Sequence, residues 1–392
     1  MCAKYEQSFG FVKRENHNDL NQGILDMSAI ADEDREAIRE SLSRFLGAEA
    51  DEAKLRCGME ASRGYDSAVW QQLAEMGLLG VAANEDSGGI GGGAIDIAMV
   101  AEELGRSLLP VPFIESAVIA STLIEASAAS DGTNDLLARI IEGTTTVGIG
   151  GNAGFVPYRD QNNSLTVSAD GKISGEVSLV LHGASANSLL LAFDEGGQTR
   201  TVLIKQGSDY VVEAMQANDP ALRPAKIRLG GAECIELTGL STDDLELARL
   251  RAVAALAAQQ AGAARAIFEI TIEYLNTRYQ FGRPIGSFQA LKHMAADLLV
   301  EVESATSAAR AAALALDAGS PNAARTVALA GFVCTDAFRE VSAQAIQMHG
   351  GIAYTREHVA HLYWRRARAM LPMLGDSNLH REAYLQAWEK SA

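Results

Sequence analysis

Apolar residues recur at three- and four-residue intervals over Asp32–Phe45 (DEDREAIRESLSRF) and Asp66–Leu79 (DSAVWQQLAEMGLL), which predicts amphipathic helices there. Asp66 stands where an N-cap is expected, and Gly77 where a helix stops. The stretch Glu85–Gly93 (EDSGGIGGG) carries too much backbone freedom for helix and reads as a loop. Further helices are expected over Ile95–Leu104 and Phe113–Ala129. From about Thr145 the period changes to two. Ser164–Ser168, Lys172–Leu181, Ser188–Phe193, Thr199–Lys205 and Glu233–Leu237 alternate or run in short apolar stretches between Gly, Asp and Asn, which predicts a small antiparallel sheet. Beyond Ser241 the helical period returns over 242–277, 286–318, 321–348, 355–370 and 376–389. Alanine dominates residues 252–266 (AVAALAAQQAGAARA), as suits close approach of helix axes in a bundle.

The expected organisation is therefore α+β: a polar extension over 1–27, a helical domain over 28–144, a central β domain over 145–240 and a helical bundle over 241–392.

Composition narrows the functional classes. Hydrophobic residues make up 48% and charged residues 21% of 392, a globular balance that suggests neither disorder nor a membrane origin. No apolar run reaches the roughly 18 residues of a spanning helix. Met1–Gln22 lacks the apolar centre of a signal peptide, so a cytoplasmic protein is expected. Cys2, Cys57, Cys234 and Cys334 have no C-x-x-C spacing, which argues against a zinc site or a disulfide framework. A formal charge of -17 opposes nucleic-acid binding. Placed arginines and backbone N–H groups can still hold an anionic cofactor or thioester.

Arg278–Ile285 (RYQFGRPI), continued by Gly286–Leu291 (GSFQAL), resembles the R-x-x-F-G-x-x-I-x-x-F-Q signature of acyl-CoA dehydrogenases. Gln347–Arg356 (QMHGGIAYTR) is similar to that family's Q-x-x-G-G-x-G-(Y/F) segment, with Ala353 in place of the third glycine. Leu362–Arg368 (LYWRRAR), Met99–Arg106 (MVAEELGR) and Glu85–Gly91 (EDSGGIG) continue the likeness in the family's order. The resemblance implies a helical domain, a small sheet domain and a four-helix-bundle domain. It also implies FAD as cofactor, an acyl-CoA substrate, an electron-transfer flavoprotein as electron acceptor and a homo- or heterotetramer. In such proteins the matching arginine and glutamine reach the FAD of a neighbouring subunit, so Arg278, Phe281 and Gln289 are expected at the cofactor, with Gln347, Gly350, Gly351, Ser377 and Asn378. Taken alone, Arg278 is also compatible with a surface charge, and Gln347 with a helix end. His182 and His349 read as satisfied or exposed histidines, and Glu102 and Glu103 as a solvated or interface face.

The chain departs from the pattern at the chemistry. The reaction needs a base to take the proton beside the thioester carbonyl, and in most members it is a glutamate in a Y-E-G-T-like string. Aligned on Gly375, that string becomes Met373-Leu374-Gly375-Asp376-Ser377-Asn378, with Leu374 in the glutamate's place. Other relatives carry the glutamate on the first bundle helix, but Arg251–Gly262 holds no carboxylate, and Glu246 comes too early. Asp376 is the nearest substitute base, with a helix N-cap as its competing role, and Asp96 is a remoter candidate. Gly150-Gly151-Asn152-Ala153-Gly154 replaces the family's T-E-P-x-x-G-S-D-like segment, and Lys172–Leu181 holds no tryptophan for the flavin. Both losses fall on the half of a flavin site that a subunit supplies to itself. This asymmetry favours a heteromer in which the chain completes a partner's FAD site over an independent dehydrogenase.

Overall fold

The computed structural model describes residues 30–152, 164–205 and 207–391. The expected extension over 1–27 lies outside the described residues, as do Ala153 and Gly154.

Three short helices begin the described chain: α1 (Asp32–Glu49), α2 (Glu52–Glu60) and α3 (Ser67–Glu75). Asp66 accepts from Ala68 N–H at 2.8 Å, and Gly77 ends this segment with φ +77°. Helix α4 (Ala94–Arg106) is capped from two directions. Asp96 accepts from Gly93 N–H at 2.8 Å, and Asp317, far along the chain, accepts from Ala94 and Ile95 N–H at 2.5 and 2.9 Å. A buried π-helical segment, Ile114–Ala120, runs into α5 (Ser121–Ala126), and α6 (Asp131–Ile141) follows.

The sheet comprises β1 (Val147–Gly151), β2 (Thr166–Val167), β3 (Lys172–Leu181), β4 (Ser188–Glu195), β5 (Gln198–Ile204), β6 (Tyr210–Ala214) and β7 (Ala225–Glu236). Its order is β2-β3-β1-β4-β5-β7-β6, and an added β3–β7 pairing curls it into a closed ring. The all-antiparallel expectation fails at one place, because β1 lies between β3 and β4 and runs parallel to β4. Strand β1 hides from a period-two reading because it is glycine-rich and wholly buried: a Cβ on Gly150 would stand 2.6 Å from Val180, and one on Gly151 1.8 Å from Ala192 O. Strand β6 is an exposed edge with no buried alternation, and β7 begins at Ala225, well before the expected Glu233, with Gly231 at a register shift inside it.

The bundle consists of α7 (Thr242–Thr277), α8 (Gln289–Asp317), α9 (Ala323–His349), α10 (Ala360–Met370) and α11 (Ser377–Ser391). Helix α8 starts at Gln289 rather than at 286, because 285–287 form a 3-10 turn. Likewise α10 starts at Ala360, after a 3-10 turn over Gly350–Tyr354. Helix α9 packs against α7, α8 and α11, and α4 lies across α7. That crossing is reciprocal in glycine. A Cβ on Gly105 would sit 2.0 Å from Gln259 O, and one on Gly262 2.1 Å from Glu102 O. Glu103, expected on a solvated or interface face, is 6% exposed, and burial raises its carboxyl pKa against the pull of Arg39 and Arg106.

Since each obstructing atom is helix backbone that cannot swing aside, Gly262→Ala is expected to cost on the order of 1–3 kcal/mol. The measurement is the urea midpoint of the variant against the parent chain, and an unchanged midpoint would show that the crossing yields.

Candidate functional site

After α7 the chain makes a two-residue hairpin, with β8 (Tyr279–Gln280) paired to β9 (Arg283–Pro284). Its tip, Phe281–Gly282, has φ of +54° and +77°, and such a tight turn needs positive values at both positions. Glycine meets that freely. Phenylalanine does so at a steric cost of about 1–3 kcal/mol. The ring that is held in this way is 90% exposed, edge-on to Phe288 at 6.0 Å, and the Arg283 guanidinium lies 4.1 Å over Phe288. Arg278, at the hairpin's base, is exposed and has no ion-pair partner among the described residues. Gln289, also exposed, opens α8, whose N-cap position makes no side-chain hydrogen bond.

A second segment meets the hairpin at this end of the bundle. Gln347, in the last turn of α9, is exposed, and Gly350 (φ +67°) and Gly351 turn the chain. A Cβ on either glycine would meet nothing within 4 Å, so both face open space. The segments join through stacked rings: Tyr274 of α7 lies 4.4 Å from His349, which lies 4.4 Å from His358. Two buried polar atoms here lack a partner, Ser287 Oγ and His349 Nε2. His349 is therefore neither exposed nor fully satisfied, contrary to expectation.

Asp376, Ser377 and Asn378 lie elsewhere. Ser377 Oγ donates to Asp336 at 3.0 Å, eleven positions before Gln347 on α9, or roughly 16 Å along the axis at 1.5 Å per residue. Asp376 is exposed, and one of its oxygens accepts from Asn378 and Leu379 N–H at 3.0 and 2.9 Å, the N-cap role set against the base role above. Asp96 is 0% exposed and takes Arg35 Nε at 2.6 Å besides its cap. It is locked into structure.

Just before Asp376 a small cavity of about 20 Å³ is lined by Ile114, Glu115, His182, Gln259, Arg366 and Met373, among others. It has room for one water molecule. Glu115 comes from the π-helical segment, His182 follows β3, Gln259 sits in α7 and Arg366 in α10. Arg366 and Asp219 form a buried ion pair, while Arg366 Nη2 and His182 Nδ1 have no partner. His182 is thus buried with no partner at Nδ1, another departure from expectation. Burial lifts the Glu115 carboxyl to about 7, opposed by Arg366, and burial with Arg366 pushes His182 down to about 4. Glu115 Oε1 and His182 Nε2 are 3.9 Å apart, beyond hydrogen-bond distance, and burial disfavours the charged form of each. A larger apolar cavity of about 200 Å³ between α1, α4, α7 and α8 holds none of the expected site residues. Among the described residues there is no cluster of metal-binding side chains, and no helix is long and apolar enough to cross a membrane.

Residues 32–144 match the acyl-CoA dehydrogenase N-terminal domain, and residues 243–387 the acyl-CoA dehydrogenase C-terminal domain. The acyl-CoA dehydrogenase IpdE2 of Mycolicibacterium smegmatis is 33% identical over 88% of this chain and 95% of its own length. The chain belongs to the acyl-CoA dehydrogenase family. Members of that family are flavoprotein oxidoreductases of lipid metabolism. Among solved structures, the fold matches the ChsE4-ChsE5 complex from Mycobacterium tuberculosis with TM-score 0.82 at 23% identity, covering 92% of this chain and 99% of that one. A Tcur3481-Tcur3483 steroid ACAD variant matches with TM-score 0.81 at 23% identity, covering 92% of this chain and 98% of that one.

The small cavity is lined from both stretches where a base was expected: Met373 adjoins Leu374, and Gln259 lies within the 251–262 stretch. Leu374 is 6% exposed with φ +55°, a backbone conformation that is costly for leucine and typical of functional sites. Glu115 faces this point from a third element, and sequence reasoning passed over it. The available signal was a lone acid inside an apolar run, FIESAVIA. Arg366 stood within a quoted motif but was given no role.

The raised Glu115 pKa predicts a pH signature. Between its ordinary 4.5 and about 7 the unfolded chain releases a proton that the folded chain retains, so this group's contribution falls as pH rises. His182 contributes the opposite slope between about 4 and 6.5 in parent and variant alike, and so cancels in their difference. Glu115→Gln is expected to gain on the parent progressively across that window, by on the order of 3 kcal/mol above pH 7. Urea unfolding at pH 4.5, 6 and 8 reads it, and a pH-independent difference would contradict the assignment.

Proposed function

We propose that this chain is one subunit of a heteromeric, FAD-dependent acyl-CoA dehydrogenase, and that it completes the cofactor site of a catalytic partner subunit. The observation that carries this reading is the contrast between its two ends. The segments with Arg278, Phe281, Gln289, Gln347, Gly350 and Gly351 are exposed and face outward, whereas the cavity lined by Met373, next to Leu374, is only about 20 Å³. A flavin bound there would supply the hydride acceptor for desaturation of the thioester at its α and β carbons. Arg278 would offer forked donors to the diphosphate, and the uncapped start of α8 would add oriented N–H groups. Gly350 and Gly351, without Cβ atoms, would let the backbone approach closely. The unpartnered Ser287 Oγ and His349 Nε2 fit a face that is completed by another molecule. The acid–base step belongs to the partner, and electrons would leave to an electron-transfer flavoprotein. The solved relatives named as a two-protein complex and as a steroid ACAD support a heteromer and make a ring-bearing acyl-CoA the first substrate class to test.

Purified alone, the chain is expected to hold far less than one FAD per subunit by visible absorbance, and to gain flavin with the subunit that copurifies from its native cells. In that assembly Arg278→Ala should lower flavin content. One flavin per chain in a homotetramer that turns over acyl-CoA would refute the half-site reading.

One observation favours a second reading, in which the chain's own site works. Glu115 is a carboxyl raised to about 7 at the cavity that Gln259 and Met373 line, a value suited to proton abstraction at neutral pH. Under that reading Glu115→Gln abolishes turnover of the isolated chain, and Asp376→Asn, which preserves the N-cap, leaves it intact. Loss in Asp376→Asn alone would return the base role to Asp376.

A further inference from the structure

The two cofactor-facing segments come from different helices, and each ends in residues with little to hold it. Gly350 and Gly351 have no side chains, nothing packs where a Cβ would stand, and the hairpin is only two residues deep on each side. Something else must set their mutual register. We propose that Tyr274, His349 and His358 are a positioning unit that fixes the 350–354 turn against the 278–284 hairpin and thereby sets flavin affinity. This rests on the functional reading above.

Tyr274 lies in the last turn of α7, and its carbonyl accepts Arg278 N–H at 2.9 Å, so its place determines where the hairpin begins. His349 directly precedes Gly350. The two rings stack at 4.4 Å with 26° between planes, and Tyr274 Oη donates weakly to His349 O at 3.4 Å. His358 closes the other side, tilted 53° to His349 at 4.4 Å and edge-on to Tyr274 at 6.1 Å. The rings are tied to the backbone in turn. His349 Nδ1–H donates to Ala345 O at 2.7 Å, which fixes the tautomer and the ring plane, and His358 Nδ1 accepts Ala360 N–H at 3.2 Å at the start of α10. Three helices, α7, α9 and α10, are therefore joined at the one place from which both segments depart. His349 is 4% exposed, so the stack is fixed before any ligand arrives.

The test is FAD titration, read by visible absorbance, into the deflavinated assembly that copurifies with the tagged chain from its native cells. Tyr274→Leu and His358→Leu are each expected to weaken FAD binding by about tenfold or more, and Tyr274→Phe, which keeps the ring, by less than about threefold. Rescue by phenylalanine separates ring stacking from a general loss of structure. Unchanged affinity in both leucine variants, or equal loss in Tyr274→Phe and Tyr274→Leu, overturns the proposal. Should Tyr274→Leu fail to fold, the half-buried His358 position decides, with its urea midpoint measured alongside. Arg278→Ala keeps the two claims apart. If it loses flavin while the leucine variants do not, only the positioning unit falls; if it keeps flavin, the functional reading falls as well.

Discussion

The backbone contact between α4 and α7 is the constraint on which the rest of the molecule depends. Gly105 and Gly262 bring two helices so close that neither tolerates a Cβ, and Asp317 caps α4 from the far end of α8. The amino-terminal helices and the bundle are thereby joined into one body. Helix α7 is fixed along its length, with Gln259 at the small cavity and Tyr274 at the hairpin. A shift at the crossing would be felt at both places, because a continuous helix transmits displacement along its axis.

The two places have opposite electrostatic characters. The cavity gathers Glu115, His182 and Arg366 under burial; Arg366 is paired with Asp219, and burial favours the neutral forms of the other two. The outward end leaves Arg278 in solvent beside aromatic rings and open glycines. Buried charge that cancels itself suits a site that has been closed, and exposed charge near bare backbone suits one that awaits an anion.

Most of the fold was legible in the chain. Helix α7 and strand β3 fall on the expected bounds: the helix is long, periodic and capped by Ser241, and the strand lies between the Asp170-Gly171 turn and the His182-Gly183 segment. Strand β1 was not legible, since its glycines serve neighbours distant in sequence, and neither was the parallel pairing that it makes. The outward-facing segments were found through their resemblance to a family signature. No local pattern says that Tyr274 and His349 stack, or that Glu115 meets Gln259 and Met373 across three elements. Contacts of that kind exist only after folding.

The hairpin's exposed aromatic end also governs how the protein can be handled. Tyr279 and Phe281 are 62% and 90% exposed, a greasy tip on an otherwise acidic molecule. Left uncovered, such a patch is self-adhesive, and the mutual repulsion of the surplus negative charge opposes association. Raising the ionic strength screens that repulsion, so the patch makes the chain more prone to self-association in high salt than in low.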